Sequence, residues 1–338
     1  MVRPGDPDLV VRSPDALDRL LLRALARGAA SPAELAADAG APRAAIEDKL
    51  AALLRAGVAI EESADAAGLA GEDRERFARQ LPYLAETGDA IAAQRRLRES
   101  KVVVLGCGGL GTWALAALAS AGIGRVVLVD HDTVELSNLN RQVLYTAGDL
   151  GARKVERAAA WVRRFDPAID VEAVARRVEG PDDLAPLLDG AGALVHAADS
   201  PPYELERWVN AACIAARVPF VTAGQMPPLL RVGPAYIPGR TACFACHERA
   251  LRRASPLYDQ VVAMRRRGHG EATTLGPASG VVGTLLALEL MHLLSGARTP
   301  STAGRALLVD MRTLDARWEP VERDPGCPAC HHLPPHEP

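Results

Sequence analysis

The chain has 338 residues, 49% of them apolar and only 4% aromatic, with a formal net charge of −3. That length allows roughly two domains with a sizeable core. The slight acidity and the scarcity of aromatic residues argue against a generally basic nucleic-acid surface or a membrane-coating one.

Residues 1–70 read as a domain of their own. Their first residues, Met-Val-Arg-Pro-Gly-Asp-Pro-Asp, lack the apolar core of a signal peptide. Leu17, Leu20, Leu21, Ala24 and Leu25 then recur at helical spacing. Ser31-Pro32-Ala33-Glu34 starts a second helix with a carboxylate in its first turn, and Gly40 closes it. Ile46, Leu50, Leu53 and Leu54 give a third helix its apolar stripe, Gly57 stops it, and Val58-Ala59-Ile60 opens a β-wing. Three short helices and a wing describe a winged helix. Its usual partner is DNA, but the segment has eleven Asp/Glu against eight Lys/Arg. The helix that would enter a groove, residues 42–55, also carries Glu47 and Asp48 where a duplex demands cations. A peptide or protein partner fits that charge better than nucleic acid.

Residues 71–100 are charged and helical and include Arg76-Phe77-Ala78-Arg79-Gln80. From residue 101 apolar strands alternate with helices, at 102–105, 126–129, 171–174, 193–198, 220–223 and 306–309. The alternation predicts an α/β fold with a Rossmann-like, mostly parallel sheet. The first strand runs into Gly106-Cys107-Gly108-Gly109-Leu110-Gly111, and the second ends at Asp130. A strand, a glycine turn, a helix and a strand closing on a carboxylate are the sequence image of a nucleotide-binding βαβ unit. Gly106 permits the turn, Gly108 lets the backbone approach a phosphate, and Gly111 lets the helix pack on the sheet, so the helix N-terminus can hold an anion. By itself the turn suits a nicotinamide dehydrogenase equally, and Asp130 suits the ribose of either nucleotide.

Asp132 and the run Ser137-Asn138-Leu139-Asn140-Arg141-Gln142 discriminate better. Amides and a guanidinium one short loop beyond the ribose carboxylate reach a triphosphate, and hydride transfer has no need of them. Lys154 adds a point charge. Asp199 closes the strand at 193–198, at the carboxyl edge where ligands bind, and a carboxylate facing a nucleotide there suits Mg²⁺. His131 and His196 read as satisfied structural histidines. Arg265-Arg266-Arg267-Gly268-His269-Gly270 reads as a mobile cationic loop over the site. The longest apolar stretch, about residues 281–294, carries Glu289 and His292 and is too short to span a bilayer, so a cytoplasmic protein with no membrane partner is expected.

The six cysteines include two Cys-x-x-Cys pairs, Cys243/Cys246 and Cys327/Cys330. Four thiolates in two chelating turns match a closed tetrahedral Zn²⁺ site that pins the C-terminus to the domain. His247 and His331 follow the pairs and complete two haem-attachment strings, but that chemistry needs an export signal. Cys107 and Cys213 read as small buried residues.

Together the glycine turn, Asp130, residues 137–142, Lys154 and Asp199, with Arg76–Gln80 upstream and the cysteine pairs downstream, resemble the E1-like (ThiF/MoeB) adenylyltransferase family over residues 71–331. The resemblance implies a carboxylate attacking the α-phosphate of ATP to give an acyl-adenylate and pyrophosphate. It places ATP on Gly106, Gly108, Gly109, Gly111, Asp130, Asp132, Asn138, Arg141, Gln142 and Lys154, with Asp130 on the ribose. Mg²⁺ falls to Asp199. It also implies a homodimer in which Arg79 is an arginine finger reaching the neighbouring site. Members that form thioesters or persulfides usually carry a further cysteine after the first zinc pair. Residues 247–326 contain none, so the adenylate is expected to pass to an external nucleophile or an internal amide.

An E1-like core at 71–338 behind a winged-helix unit at 1–70 resembles enzymes of ribosomal-peptide natural-product pathways, whose small domain clamps a precursor peptide. The expected substrate is a carboxyl or amide of such a peptide. The rival enzyme substrate is the C-terminal Gly of a ubiquitin-like sulfur carrier protein. The rival outside enzymology is a leader-binding partner that turns over no ATP.

Overall fold

The computed structural model describes residues 14–28, 30–55, 58–59, 69–267 and 273–334. The chain parts into two compact units, Met1–Arg95 and Arg96–Pro338.

In the first unit, helices α1 (Ala16–Leu25), α2 (Pro32–Ala39) and α3 (Arg43–Arg55) form where helical spacing predicts them. Capping boxes start two of them: Asp15 with Asp18 at α1, and Ser31 with Glu34 at α2. Each box satisfies amide groups that a helix start leaves open. Gly40 ends α2 in the left-handed conformation. Leu21, Ala24, Leu35 and Ile46 make the core of the three helices. The wing fares differently. The amides of Val58 and Ala59 both donate to Leu53 O, at 2.9 and 3.3 Å, so these two residues close α3; the rest of the expected wing, with Gly57 and Ile60, lies outside the described residues. Short helices α4 (Gly71–Arg76) and α5 (Leu81–Ala85) follow, and α6 (Ala90–Glu99) runs on into the second unit.

The second unit opens with β1 (Lys101–Leu105), α7 (Gly109–Ala121), β2 (Arg125–Val129), α8 (Lys154–Phe165), β3 (Asp170–Val174), α9 (Ala185–Leu188) and β4 (Ala193–His196). It continues through α10 (Glu204–Ala216), β5 (Phe220–Met226), β6 (Leu229–Tyr236), α11 (Phe244–Ala254), α12 (Tyr258–Arg266), α13 (Gly276–Ser295), β7 (Arg305–Asp310) and β8 (Ala316–Pro320). The eight strands form one sheet in the order β3-β2-β1-β4-β5-β6-β7-β8. β3 through β5 are parallel, and β6, β7 and β8 add an antiparallel flank. Strand order reverses between β1 and β4, so a crevice opens at their carboxyl ends.

The strands are buried on both faces, as parallel strands between helices must be. Val102, Val104, Val126 and Leu128 pack against α7, α8 and α13, while Val103, Leu105, Val127 and Leu194 pack against α9 and α10. Two strands lie outside the sequence expectation. β6 contains Gly233-Pro234, which breaks a strand pattern, and β8 is an exposed edge strand without alternation. β4 ends at His196, two residues early, because the backbone of Ala197 and Ala198 turns against Gly106.

The apolar stretch near 281–294 is also longer than expected. It belongs to the 20-residue α13, which by length and composition alone is enough to cross a membrane. Most of it is buried, and it packs along α7. Its Glu289 carboxylate accepts bonds from the amide and hydroxyl of Thr302, both at 2.6 Å. Glu289→Ala leaves two buried donors open, and urea unfolding is expected to show a loss of about 3 kcal/mol; a loss below about 1 kcal/mol would show the tie to be dispensable.

Candidate functional site

β1 delivers the chain into a turn that only glycines can make. Gly106 has a φ of +96°, and a Cβ there would lie 2.7 Å from the backbone of Ala197. A Cβ at Gly111 would lie 1.8 Å from Gly106 O, so α7 starts in direct contact with the turn. Gly108 is open, with Gln142 Nε2 as the nearest atom at 3.9 Å. The first amides of α7 therefore face the crevice with no carbonyl of their own to bond.

Asp130 follows β2, and its carboxylate is held from two sides. Oδ2 accepts the Cys107 amide at 2.7 Å, and Oδ1 accepts the Asp132 amide at 2.8 Å. Asp132 in turn holds buried Lys154, with Nζ to Oδ2 at 2.8 Å. Burial pulls the Asp132 carboxyl up, but the hydrogen bond and charge of Lys154 outweigh it and leave it below the usual carboxylate value. Tyr145, buried, closes the circuit: its hydroxyl lies 2.9 Å from Cys107 O and 3.3 Å from Lys154 O. The glycine turn, Asp130 and Lys154 are thus one hydrogen-bonded body.

The loop at 137–142 stands beside it. Arg141 Nη1 donates to Ser137 O at 2.8 Å and Asn140 Oδ1 at 3.0 Å, and among the described residues no carboxylate lies within ion-pair distance of it. Asn138 is buried and spends its Oδ1 on the Glu135 amide. Gln142 is buried with Oε1 unpartnered. Asp199 is exposed, three residues past β4. Arg79 is exposed in the turn after α4, in the first unit.

Several contributors escaped the sequence reading. A Cβ at Gly276 would lie 2.5 Å from Asn140 O, and one at Gly109 would lie 2.9 Å from Ser279 Oγ, so the start of α13 walls both the glycine turn and the arginine loop. Trp113 donates to Arg141 O at 3.2 Å, and Gln225 donates to Ser279 Oγ at 2.7 Å. The spacing of Gly276, Gly280 and Gly283 on one helical face was a readable signal of close packing. His196 departs from expectation. It is buried, but Nδ1 has no partner, and burial followed by the charge of Arg231 lowers its pKa to about 4. The cationic stretch is also not simply a loop, since Arg265 and Arg266 end α12; residues 268–270 lie outside the described residues.

The four cysteines converge. Cys243 caps α11 and Cys246 lies in its first turn, while Cys327 and Cys330 come from a turn near the C-terminus. Their Sγ atoms all lie within 4.8 Å of one another, with separations of 3.7 Å (Cys243–Cys327), 3.4 Å (Cys246–Cys330) and 3.9 Å (Cys243–Cys246). A tetrahedral metal with bonds of about 2.3 Å needs edges of about 3.8 Å. His247 is engaged by the Tyr236 hydroxyl at 2.8 Å, and His331 lies 2.8 Å from Cys327 O. Cys107 and Cys213 are buried, and burial pushes both thiols up.

The ThiF family model matches residues 77–329. The sulfur carrier protein ThiS adenylyltransferase of Escherichia coli is 34% identical over 71% of this chain and 90% of its own length. The molybdopterin-synthase adenylyltransferase of E. coli is 30% identical over 78% of this chain and 99% of its own. Among solved structures, E. coli MccB with AMPCPP and MccA superposes with a TM-score of 0.75 at 25% identity, over 89% of this chain and 85% of that one. The crevice, its glycine turn and its cations therefore belong to an adenylyltransferase, and the chain is a member of the ThiF family of E1-like enzymes.

Proposed function

We propose that this enzyme adenylates a carboxyl or amide of a peptide in ribosomal-peptide natural-product biosynthesis, with residues 1–70 as the peptide clamp and 71–338 as the adenylating domain. One observation carries the choice of substrate: the superposition on E. coli MccB with MccA, over 89% of this chain. That likeness supports peptide adenylation, and the sequence relatives keep the C-terminal Gly of a sulfur carrier as the alternative.

In this reading Asp130, already oriented by two amides, accepts the ribose hydroxyls. Gly106, whose own amide is spent on Val129 O at 2.8 Å, makes the turn, and the amides of Gly108, Gly109 and Gly111 at the start of α7 donate to phosphate oxygens. Asn138, Arg141, Gln142 and Lys154 complete the phosphate site. Arg141 brings an unneutralised charge, while Lys154 is held ready by Asp132. A carboxylate oxygen of the substrate bonds to the α-phosphorus as the bond from that phosphorus to the bridging oxygen breaks, and pyrophosphate leaves with the electron pair. The cations stabilise the charge gathered on the leaving group. Asp199 is a hard oxygen donor at the carboxyl edge and would hold Mg²⁺, which when bound neutralises phosphate charge. The four thiolates would hold a structural Zn²⁺ in a closed site. Cytoplasmic homodimers with Arg79 reaching the partner's nucleotide complete the reading.

Peptide-dependent ATP–pyrophosphate exchange tests it. Exchange with candidate precursor peptides is expected, falling about 10²–10³-fold in Lys154→Met or Arg141→Met; exchange driven only by a sulfur carrier would transfer the enzyme to that substrate. The circuit around Tyr145 makes a second prediction. Tyr145→Phe removes one buried bridge, worth about 1 kcal/mol, and so weakens ATP binding about five-fold in calorimetry. Adenosine, which lacks phosphates, binds both proteins equally; an equal loss for adenosine would show general damage instead. For the cysteines, metal analysis is expected to find one zinc ion per chain. Cys327→Ser should lose it and melt at lower temperature, and a metal-free wild type with an unchanged melt would rule out the zinc site.

A further inference from the structure

A cavity of about 310 Å³ opens at the edge of the sheet opposite the nucleotide crevice, among the turns at 237–242, 299–304 and 321–323. Strand register sets its place. Tyr236, the last residue of β6, pairs with Phe220 at the start of β5, and Arg305, the first of β7, pairs with Pro320 at the end of β8. The turns that follow β6 and β8 and the turn that precedes β7 therefore meet at the amino ends of the parallel strands. Buried Glu289 of α13 fixes one wall through its two bonds to Thr302. Gly276, thirteen residues earlier in α13, stands beside the arginine loop of the crevice. At about 1.5 Å per residue the two regions are roughly 20 Å apart along that helix.

The cavity has the size of a small-ligand pocket. Ile237, Ala242 and Val321 line it and are buried, which gives it an apolar floor. A Cβ at Gly304 would meet nothing nearer than Val321 O at 4.0 Å, so space remains beside that glycine. The charge in the lining is of one sign, since Arg240 and Arg323 contribute to it and no Asp or Glu does. Arg323 is half-buried and aimed by carbonyls: Nη1 donates to Gly239 O at 3.2 Å, and Nη2 to Cys330 O at 2.8 Å and Leu333 O at 2.9 Å. Three bonds leave part of its five-donor guanidinium unspent. Among the described residues no carboxylate lies within ion-pair distance of it. Arg240 and Thr299 are exposed, so the cavity is open to solvent, and among the described residues neither side chain has a hydrogen-bonding or ionic partner. Thr241 is different, because its hydroxyl accepts the Ile237 amide at 2.8 Å and serves to build the turn.

Two guanidiniums without a counter-ion in one concavity repel metal ions and ammonium groups. They suit an oxyanion, which a guanidinium can grip through two parallel bonds. The apolar floor favours an organic body over a bare ion. We propose that this cavity is a second ligand site, separate from the nucleotide crevice, for a small organic oxyanion whose head group is held by Arg240 and Arg323 and whose apolar body rests on Ile237, Ala242 and Val321.

Calorimetric titration of the full chain with phenyl phosphate, benzoate and uncharged benzamide, each with and without saturating AMPCPP in the crevice, tests it. At least one anion is expected to bind one to one and at least about ten-fold tighter than benzamide, because the charge-assisted bonds go with the charge. The tighter anion tells a phosphate head group from a carboxylate. Arg240→Met is expected to weaken that anion at least about ten-fold, with part of the loss recovered in Arg240→Lys, which keeps the charge without the fork. Thr299→Val, on another wall, should weaken it about five-fold. AMPCPP should leave the affinity unchanged. Binding of neither anion at about 10 mM, benzamide binding as tightly as both, or an affinity unmoved by Arg240→Met overturns the proposal. Loss of binding when AMPCPP is added would place the anion in the crevice and overturns it as well.

Discussion

The contact between Gly111 and the carbonyl of Gly106 is the constraint from which the site follows. A Cβ would lie 1.8 Å from that oxygen, so only glycine lets α7 begin against the end of β1. With the helix there, the Cys107 amide turns toward Asp130, and the remaining amides of the helix start are left for a ligand. Asp130 passes the constraint to Asp132, Asp132 passes it to Lys154, and Tyr145 returns it to Cys107. Side chains drawn from residues 106 to 154 are thereby positioned by one backbone approach.

The two cations in this region are treated differently, and the difference has a physical reason. Lys154 is buried, and a buried charge without a partner is costly, so Asp132 stands beside it. Arg141 is only half-buried and stays in reach of solvent, so carbonyl and amide oxygens suffice to aim it. One charge is thus stored as a pair and the other is kept free.

Much of this was legible in the sequence because it is local. Glycines at 106–111, a carboxylate after β2 and paired cysteines announce their geometry through spacing of a few residues. What escaped depends on distant partners. Ser279 and Gln225 reach the glycine turn only because α13 packs along α7, and no short window contains both. The strand β6 was hidden by Gly233-Pro234, which breaks a strand pattern. His196 was misread because its neighbours are distant in sequence: a histidine in a strand looks satisfied until Glu206 and Arg231 are seen from other elements, near enough to perturb it and too far to bond.

The cysteine cluster and the crevice make opposite demands on the same fold. The cluster ties α11 to the far C-terminal turn, and Asp324, gripped by Arg249 and Arg253, adds its amide to Cys246 Sγ at 3.4 Å. Its thiols face one another, and each flanking histidine has a hydrogen-bonding partner. At the carboxyl ends of the strands the reverse holds: Gln142, His196 and Glu206 keep buried atoms unspent, and Arg141 and Arg231 keep charge unneutralised. Unspent polar groups lower stability, so the cysteine cluster and the crevice differ in kind: one spends its polar groups on holding the chain together, and the other leaves them available.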